Sequence, residues 1–340
     1  MTVTFIGDFA ADLGAVGMTD DTATTAAFDS AYTNQCVSAV NAVANGANSP
    51  NVSLGISIAA VPVTSFWLHF VFYKLNYDSL PGGTYSTYLS FKTAGGVEVA
   101  RIEGNQTVAN QLRAVAVGDT TVTSAYTTSF PSGKATFDVR VTAGSTITIN
   151  VYVGGALVAA ASAANTTGAK PLPVSATWSH ANIWKATSAS NVLAYSEVCA
   201  TDGESTIGWR IASLRPTGAG TYSTWVGGYS QLGDTDFATG AGSLAAAQRV
   251  SSTLSAYGGP ASPTSIRGVF AKARGSRAST GPQHIVQSLR LSSADYDGST
   301  SFLPDNATQM IQEWALNPAT GTAWTTSALT GMELGLLSAA

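Results

Sequence analysis

Apolar and polar side chains alternate with a period of two through much of the chain after residue 50. In Thr136–Val141, for example, Phe137, Val139 and Val141 are separated by polar residues. Successive side chains of an extended strand point to opposite faces of a sheet. The pattern therefore predicts a strand with one buried face and one exposed face.

Two neighbouring stretches extend this prediction. Thr146–Val153 alternates in the same way, and Gly154–Gly155 supply the positive φ angles of a two-residue hairpin turn that leads into Ala156–Ala161. Phe66–Tyr73 reads FWLHFVFY and is apolar on both faces. A strand of that kind is expected at the centre of a sheet, buried between two layers.

Further short strands are predicted in both halves of the chain. Those of the first half are Thr84–Phe91, Val97–Ile102, Leu112–Val117, Val174–Trp178 and Tyr195–Ala200. Those of the second half are Ile207–Leu214, Thr224–Val226, Ser265–Ala273 and His284–Leu291. Many short antiparallel strands joined by turns predict an all-β protein of the sandwich or jelly-roll kind.

A chain of 340 residues usually forms more than one core. The charges are sparse, at 11% of residues, yet several are concentrated in Leu193–Gly220 between two series of strands. We interpret this stretch as a junction, with an N-terminal arm at 1–50, a β-sandwich at 51–202 and a second β-sandwich at 203–340. Glu197 is expected to pair with Arg210 or Arg215 across the boundary.

Two helices are predicted outside the sandwiches. Near the N-terminus, Phe28, Tyr32, Cys36, Ala39 and Val43 recur at helical spacing, and this helix either packs on the first sandwich or belongs to an arm that docks on an assembly. Near the C-terminus, Thr325 or Thr326 can cap a short helix that places Leu329, Met332 and Leu336 on one face.

Composition excludes several classes of function. The net charge of −4 and the pI near 5.3 give no general attraction to nucleic acid or to an anionic membrane. No apolar run is long enough to predict a membrane span. Cys36 and Cys199 lie far apart without a CxxC spacing, so two free thiols are expected rather than a zinc site or a bridge.

Candidate catalytic and metal-binding residues are few. The acidic pairs nearest to glycosidase spacing are Glu98 with Glu103, Asp234 with Asp236, and Asp295 with Asp297, and the last pair also lies in a loop that offers oxygen ligands to Ca²⁺. The three histidines, His69, His180 and His284, are scattered. No catalytic residue, metal site or cofactor is predicted, and an ordinary role as solvated or structural residues is favoured.

Two groups of side chains are candidates for binding. The aromatic residues that can stack on sugar rings are Trp178, Trp184, Tyr222, Trp225 and Tyr229, although sandwich cores and subunit contacts also use such residues. The basic residues that can contact a neighbouring subunit are Arg267, Lys272, Arg274 and Arg277, with Arg290 close by. The alternative for this second group is a solvated strand face.

Several stretches together resemble a known group of proteins. FWLHFVFY, VYVGGALVA and YSEVCA are similar to the concanavalin A-like or LamG-like sandwiches of tailed-bacteriophage virion proteins. GWRIASLRPTGAGTYSTWVGGY resembles their domain junction, and FAKARGSRASTGPQ resembles their basic strand with a TGPQ turn. NPATGTAWTTSALTGMELGL resembles their C-terminal ending, but Ala328 stands where an acidic residue usually completes the capping box.

This resemblance implies a function. It suggests a non-enzymatic virion structural protein, such as a tail fibre, spike, tail tip or head decoration, that is made in the host cytoplasm. Such proteins commonly form trimers that bury apolar faces, and the N-terminal segment would contact other virion proteins. The alternatives are a carbohydrate-binding module that recognises a host surface glycan and, third, a polysaccharide depolymerase.

Overall fold

The computed structural model describes residues 2–7, 12, 18–19, 37–42, 53–58, 61–75, 86–105, 111–127, 134–168, 170–179, 191–233, 239–260, 262–278 and 280–340. These residues form antiparallel sheets joined by turns, with 3₁₀ turns as their helical elements. The protein is therefore all-β, as the alternating pattern predicts. The chain divides into two units, of which the first ends at Ile211 and the second begins at Ala212.

The first unit contains fourteen described strands. They are β1 Thr2–Gly7, β2 Met18–Thr19, β3 Val37–Ala42, β4 Ser53–Ser57, β5 Phe66–Leu75, β6 Ser86–Lys92, β7 Glu98–Gly104, β8 Leu112–Val117, β9 Thr121–Thr123, β10 Lys134–Ala143, β11 Thr146–Val153, β12 Ala156–Ala164, β13 Ser175–Ser179 and β14 Asn191–Asp202.

These strands form two sheets that face each other across one apolar core. The eight-stranded sheet has the order β12-β11-β10-β5-β14-β3-β2, with β1 also paired to β14, and the six-stranded sheet has the order β4-β13-β6-β7-β8-β9. Phe70 lies at the centre, stacked on Phe137 at 5.1 Å and in edge contact with Trp178 at 5.4 Å. The inward positions of the alternating strands supply this core, as the sequence predicts.

The hairpin between β11 and β12 is confirmed. Gly154 and Gly155 have φ angles of 59° and 82°, which residues with a Cβ seldom adopt, and the two strands pair on either side of them. The prediction for β5 is also confirmed, since β5 lies between β10 and β14 in the middle of its sheet. The side chains from Phe66 to Val71 are buried on both faces of this strand.

The N-terminal segment differs from its prediction. The arm at 1–50 contributes β1, β2 and β3 to the eight-stranded sheet, so these residues are part of the first sandwich. The predicted helix does not extend to Ala39, because Ala39 pairs with Ala194 in β14. Phe28, Tyr32, Cys36 and Val43 lie outside the described residues.

The second unit has seven described strands. They are β15 Pro216–Ser223, β16 Arg249–Leu254, β17 Val269–Gly275, β18 His284–Leu291, β19 Ala294–Phe302, β20 Thr308–Trp314 and β21 Glu333–Ala339. They form a five-stranded sheet of order β15-β16-β21-β18-β19 and a two-stranded sheet of β17 and β20.

The strand predictions are less accurate in this unit. The prediction for β18 is correct to the residue, but Ile207–Leu214 and Thr224–Val226 are not strands. The sequence did not reveal β15, β16, β19, β20 or β21. β15 and β19 consist mostly of Ser, Thr, Gly and Ala, and the apolar residues of β16, β20 and β21 do not alternate strictly. These strands therefore carry little apolar periodicity, and cross-strand pairing selects their extended form.

The C-terminal ending forms a plug in the core of the second unit. Trp324 is buried, packs with Leu329 and Met332, and donates its indole N–H to the Trp314 carbonyl at 2.8 Å. The short helix is present as one 3₁₀ turn, Ser327–Leu329, at which the Thr325 hydroxyl accepts the Ala328 N–H at 3.3 Å. The turn does not continue, because Leu336 belongs to β21.

This plug leads to a stability prediction. Trp324→Ala should lower the free energy of unfolding of the second unit by about 3–5 kcal/mol, because it leaves a cavity and removes the bond to Trp314. Leu316→Ala is a matched control, since Leu316 is 53% exposed, and should change it by less than about 0.5 kcal/mol. Urea unfolding of the full chain, followed by circular dichroism, measures both. Equal effects would contradict the assigned role of Trp324.

Candidate functional site

The outer face of the five-stranded sheet carries a group of charged side chains that interact with one another. Strand alternation places it there: Val250 and Leu289 point into the core, whereas their neighbours Arg249 and Arg290 point outward. β15 adds Tyr222, and β19 adds Asp295 and Asp297 beside them. We call these five residues, Tyr222, Arg249, Arg290, Asp295 and Asp297, the Tyr222 surface.

Tyr222 is held at the centre of this surface. Its hydroxyl donates to Asp295 Oδ2 at 2.6 Å, and Arg290 donates to Asp295 Oδ1 at 2.7 Å. The guanidinium carbons of Arg249 and Arg290 lie 5.7 and 5.4 Å from the centre of the Tyr222 ring, within the range of cation–π attraction. The ring is therefore fixed by contacts on several sides.

A second pairing completes the surface. Arg249 donates through both terminal nitrogens to Asp297, at 2.9 and 2.7 Å, in a two-point arrangement that fixes the planes of both groups. Glu333, on β21 between them, accepts hydrogen bonds from Ser251 and from the backbone and hydroxyl of Thr221. A small open depression beside these contacts is lined by Tyr222, Arg249, Ser251, Ser288, Arg290 and Asp295, among others.

The pKa directions follow from these contacts. Burial alone would raise the pKa of Asp295, but hydrogen bonds from Tyr222 and Arg290 outweigh it and hold that pKa below its ordinary value. The hydrogen bond from Arg249 likewise lowers the pKa of Asp297. The Asp295 carboxylate in turn raises the pKa of Tyr222. At neutral pH both carboxylates are ionised, which does not suit a general acid.

The groups of this surface form a set of hydrogen-bond donors and acceptors beside an aromatic ring, and not a set of metal ligands. Carboxylate and guanidinium groups present fixed acceptors and donors beside an aromatic ring, the combination that sugar hydroxyls and ring faces use. The oxygens that Asp295 and Asp297 would offer to Ca²⁺ already accept bonds from arginines and Tyr222. Within the described ranges, no group of three or more acidic, histidine or cysteine side chains is placed to hold a metal ion.

The other aromatic candidates lie in different environments. Trp178 is 2% exposed in the core of the first unit, between Phe70 and Tyr195, so its ring is not accessible to a sugar. Trp225 is 9% exposed and donates its indole N–H to the Gln248 carbonyl in the core of the second unit. Tyr229 is 39% exposed on a 3₁₀ turn. Trp184 lies outside the described residues.

The first acidic pair is engaged in ion pairs. Glu103 is fully buried on β7 and accepts bonds from Arg101 Nε at 2.6 Å and Arg113 Nε at 2.7 Å, while Glu98 accepts from Arg101 at 2.7 Å. Glu103 therefore belongs to a structural ion-pair network between two guanidinium groups. Asp234 and Asp236 lie outside the described residues.

The outward row of the eight-stranded sheet contains a buried polar cluster that is also structural. His69 Nδ1 lies 2.7 Å from Asp138 Oδ1, and the Thr206 hydroxyl donates to the same oxygen at 2.7 Å. Cys199, the cross-strand neighbour of His69, is a free buried cysteine, and burial raises the pKa of its thiol. The thiol therefore stays protonated and is not activated as a nucleophile.

The predicted pairing of Glu197 with Arg210 is confirmed, but both residues lie in the first unit. Arg210 donates to both carboxylate oxygens at 2.9–3.2 Å, and the Ile211 N–H donates to Glu197 Oε2 at 2.7 Å. Residues 203–211, which the sequence assigns to the second domain, belong to the first unit for this reason.

The basic candidates lie along one strand of the second unit. Lys272 and Arg274 share one face of β17, Arg267 precedes this strand, and Arg277 follows it and pairs with Asp305. Arg267, Arg274 and Arg277 are exposed, whereas Lys272 is half-buried. Burial lowers the pKa of Lys272 to about 7.

The sequence analysis missed Arg249 and Glu333 at the Tyr222 surface. Each begins a strand that was not predicted, and nothing in the local sequence distinguishes either residue from a solvated charge. Pairing of β16 and β21 with their neighbours brings them beside Tyr222. The signal available in the sequence was that Tyr222 follows the small residue Gly220 at a spacing of two, as on one face of a strand.

Comparisons with known proteins do not place the chain in a family. No protein-family model and no curated protein matches it. Among the solved structures that are weakly similar, a module of the phage J-1 Dit protein of Lactobacillus casei BL23 covers 48% of this chain and 75% of its own, with 9% identity and a TM-score of 0.34.

Two further structures are similar at the same level. A carbohydrate esterase of the Shiga toxin-encoding bacteriophage phi24B covers 48% of this chain and 79% of its own, with 10% identity and a TM-score of 0.32. An endo-β-1,4-glucuronan lyase from the fungus Trichoderma reesei covers 48% and 79%, with 13% identity and a TM-score of 0.34. Among the described residues, no helix is long and apolar enough to cross a membrane.

The pKa of Lys272 generates a pH prediction. Between about pH 7 and 10 the unfolded chain keeps the lysine proton that the folded chain has lost, so the free energy of unfolding rises with pH in this window. Lys272→Met should therefore stabilise the protein at pH 7, and this gain should shrink as the pH approaches 10.

The matched control is Arg274→Met, on the same face of β17, whose guanidinium stays charged throughout this pH range. Its effect on stability should not change between pH 7 and 10. Thermal unfolding at several pH values measures both variants. A constant difference between Lys272→Met and the parent protein would show that Lys272 is charged in the folded state.

Proposed function

We propose that this chain is a non-enzymatic structural protein of a tailed-phage particle that works as a homo-oligomer and presents its surface on the virion. The state of the candidate catalytic acids is the main support. Glu98, Glu103, Asp295 and Asp297 all accept hydrogen bonds from arginines, so the described pairs are bound in structural networks rather than poised for proton transfer. The virion assignment rests on the resemblance in the sequence.

The C-terminal ending supports a structural role. The residues that carry its resemblance form a tight turn, in which the Asn317 side chain accepts the Ala319 N–H at 2.9 Å, and then the buried Trp324 plug. The turn and Trp324 stabilise the second unit. Its loops also leave apolar side chains in solvent, such as Leu244 at 77% and Val226 at 67% exposure, which contact with another subunit would bury.

The first expected result is an oligomer in solution. At micromolar concentrations, sedimentation velocity and light scattering of the full chain should report more than one copy per particle. A well-behaved monomer at these concentrations would contradict the proposed assembly function. Release of reducing ends from a host polysaccharide by the purified protein would contradict its non-enzymatic part.

A second candidate function is recognition of a host surface glycan through the Tyr222 surface. It is favoured by one observation, which is that an aromatic ring, two arginines and two ionised carboxylates occupy adjacent positions on one exposed sheet face. Tyr229 offers a further exposed ring in the same unit. Sugar binding by such surfaces combines stacking with oriented hydrogen bonds.

Glycan binding is tested by a glycan array followed by titration of any ligand found. Tyr222→Ala should weaken the binding at least about tenfold, because it removes the ring and frees Asp295 from its hydrogen bond. Tyr126→Ala, at an exposed tyrosine of the first unit, is the matched control and should leave the affinity unchanged. Equal affinities of both variants and the parent protein would exclude the Tyr222 surface as the site.

A further inference from the structure

β12 is an edge strand whose sequence does nothing to prevent pairing with another chain. It is the terminal strand of the eight-stranded sheet, spans nine residues, Ala156–Ala164, and contains neither charge nor proline. An edge of this kind presents a row of unpaired backbone groups, and proteins usually block such edges with charges, proline, bulges or short length.

The other described sheet edges are shorter, or carry charge or proline. β1 is uncharged but has six residues, and β17 and β20, which are both edges of the two-stranded sheet, carry Lys272, Arg274 and Glu313. β2 and β9 contain two and three residues, and β4 contains five. β15 begins with Pro216 and has register shifts against β16, while β19 carries Asp295 and Asp297. β12 is therefore the longest described edge strand with neither charge nor proline. Its one irregularity is a register shift close to Val158, after which Ala159–Ala164 pairs regularly with β11.

The backbone groups that face the open edge can be identified. The Ala164 carbonyl accepts the Asp119 N–H at 2.6 Å and so points away from β11, whereas the Asn165 N–H bonds to the Ser145 carbonyl on the β11 side. Because these directions alternate along an antiparallel strand, Ser162 and Ala160 also point away from β11. Within the described residues their backbone groups have no partner beyond this edge.

The side chains of β12 fit a copy of the same strand. Ala159, Ala161 and Ala163 are buried against the core, and Ala160 and Ser162 are exposed on the opposite face. All are small, so a second backbone can approach Ala160–Ser162, up to the Gly118–Asp119 turn that covers the edge at Ala164. In an antiparallel pair centred on Ala161, even-numbered residues stand opposite even-numbered residues and odd opposite odd. The buried face and the exposed face of one sheet therefore each continue into the same face of the second sheet.

We propose that two copies of this chain pair through β12, antiparallel and about a two-fold axis, with Ala160 opposite Ser162 of the partner subunit. This register forms four new backbone hydrogen bonds and joins two eight-stranded sheets into one. The inference rests on the proposed homo-oligomer and specifies its contact. Because a two-fold contact is closed by two copies, it yields a dimer, and the trimer that the resemblance implies would need another surface.

A second copy is the occupant that the observations favour. Both sides of the contact would be the same strand. The two strands therefore have the same length, the same lack of charge and the same alternation of buried and exposed positions. A strand of a different protein would have to match all of these features independently.

The test uses two double variants of the full chain with charges at the same two exposed positions. Ala160→Lys with Ser162→Lys places like charges directly opposite each other twice across the proposed contact, which disfavours pairing. Ala160→Glu with Ser162→Lys places opposite charges there instead. Sedimentation equilibrium should give a dissociation constant at least about tenfold higher than the parent's for the first variant and within about threefold for the second.

Hydrogen exchange supplies an independent readout. The amide protons of Ala160 and Ser162 should be protected in the parent dimer and exchange rapidly in the lysine–lysine variant, since they face the open edge when the subunits separate. Exchange of β11, which bonds to the other edge of β12, should stay slow in both and reports that the sheet remains folded.

The outcomes separate this inference from the proposed function. A parent oligomer that the lysine–lysine variant does not weaken, or that both variants weaken equally, would overturn the β12 contact and leave the proposed assembly function standing. A parent monomer would overturn both. Loss of the oligomer in the lysine–lysine variant with retention in the glutamate–lysine variant would establish the pairing and its register.

Discussion

The first unit depends on one constraint, which is that the central strand of its eight-stranded sheet, β5, is buried on both faces. Inward, Phe66 and Phe70 meet the six-stranded sheet; outward, His69 and Asp138 are equally inaccessible to water. A buried ionised group without a partner costs several kcal/mol. The outer face therefore requires a polar segment laid over it, and Thr206 supplies one of its hydrogen bonds.

Glu197 adopts a strained backbone conformation at the position where this polar segment is attached to the sheet. It has a φ angle of 59°, in the left-handed region that residues with a side chain avoid, at an irregularity in the pairing of β14 with β5. Its carboxylate nevertheless receives Arg210 and the Ile211 N–H. These bonds offset the backbone strain and hold residues up to Ile211 on the first unit. The part of the predicted junction up to Ile211 therefore belongs to the first unit.

In the second unit, the two faces of the larger sheet are covered in a different way. Its five-stranded sheet keeps one face in solvent, where the charges are paired with each other, and closes the other face with apolar residues that include Trp324. The two solutions leave different surfaces for function. The solvent face offers fixed polar groups around Tyr222 to a ligand, whereas the first unit offers the uncharged edge of β12 to a second subunit.

The sequence by itself determined the all-β class, the strands with strong apolar periodicity, the glycine hairpin and the pairing of Glu197 with Arg210. These features depend on neighbours close in sequence or on the strand period of two. The tertiary structure alone decided that β1 and β3 join the first sheet, that Trp178 lies in a core, and that Arg249 meets Tyr222. These outcomes depend on which strands pair across long separations, and weakly apolar strands carry no local record of their partners.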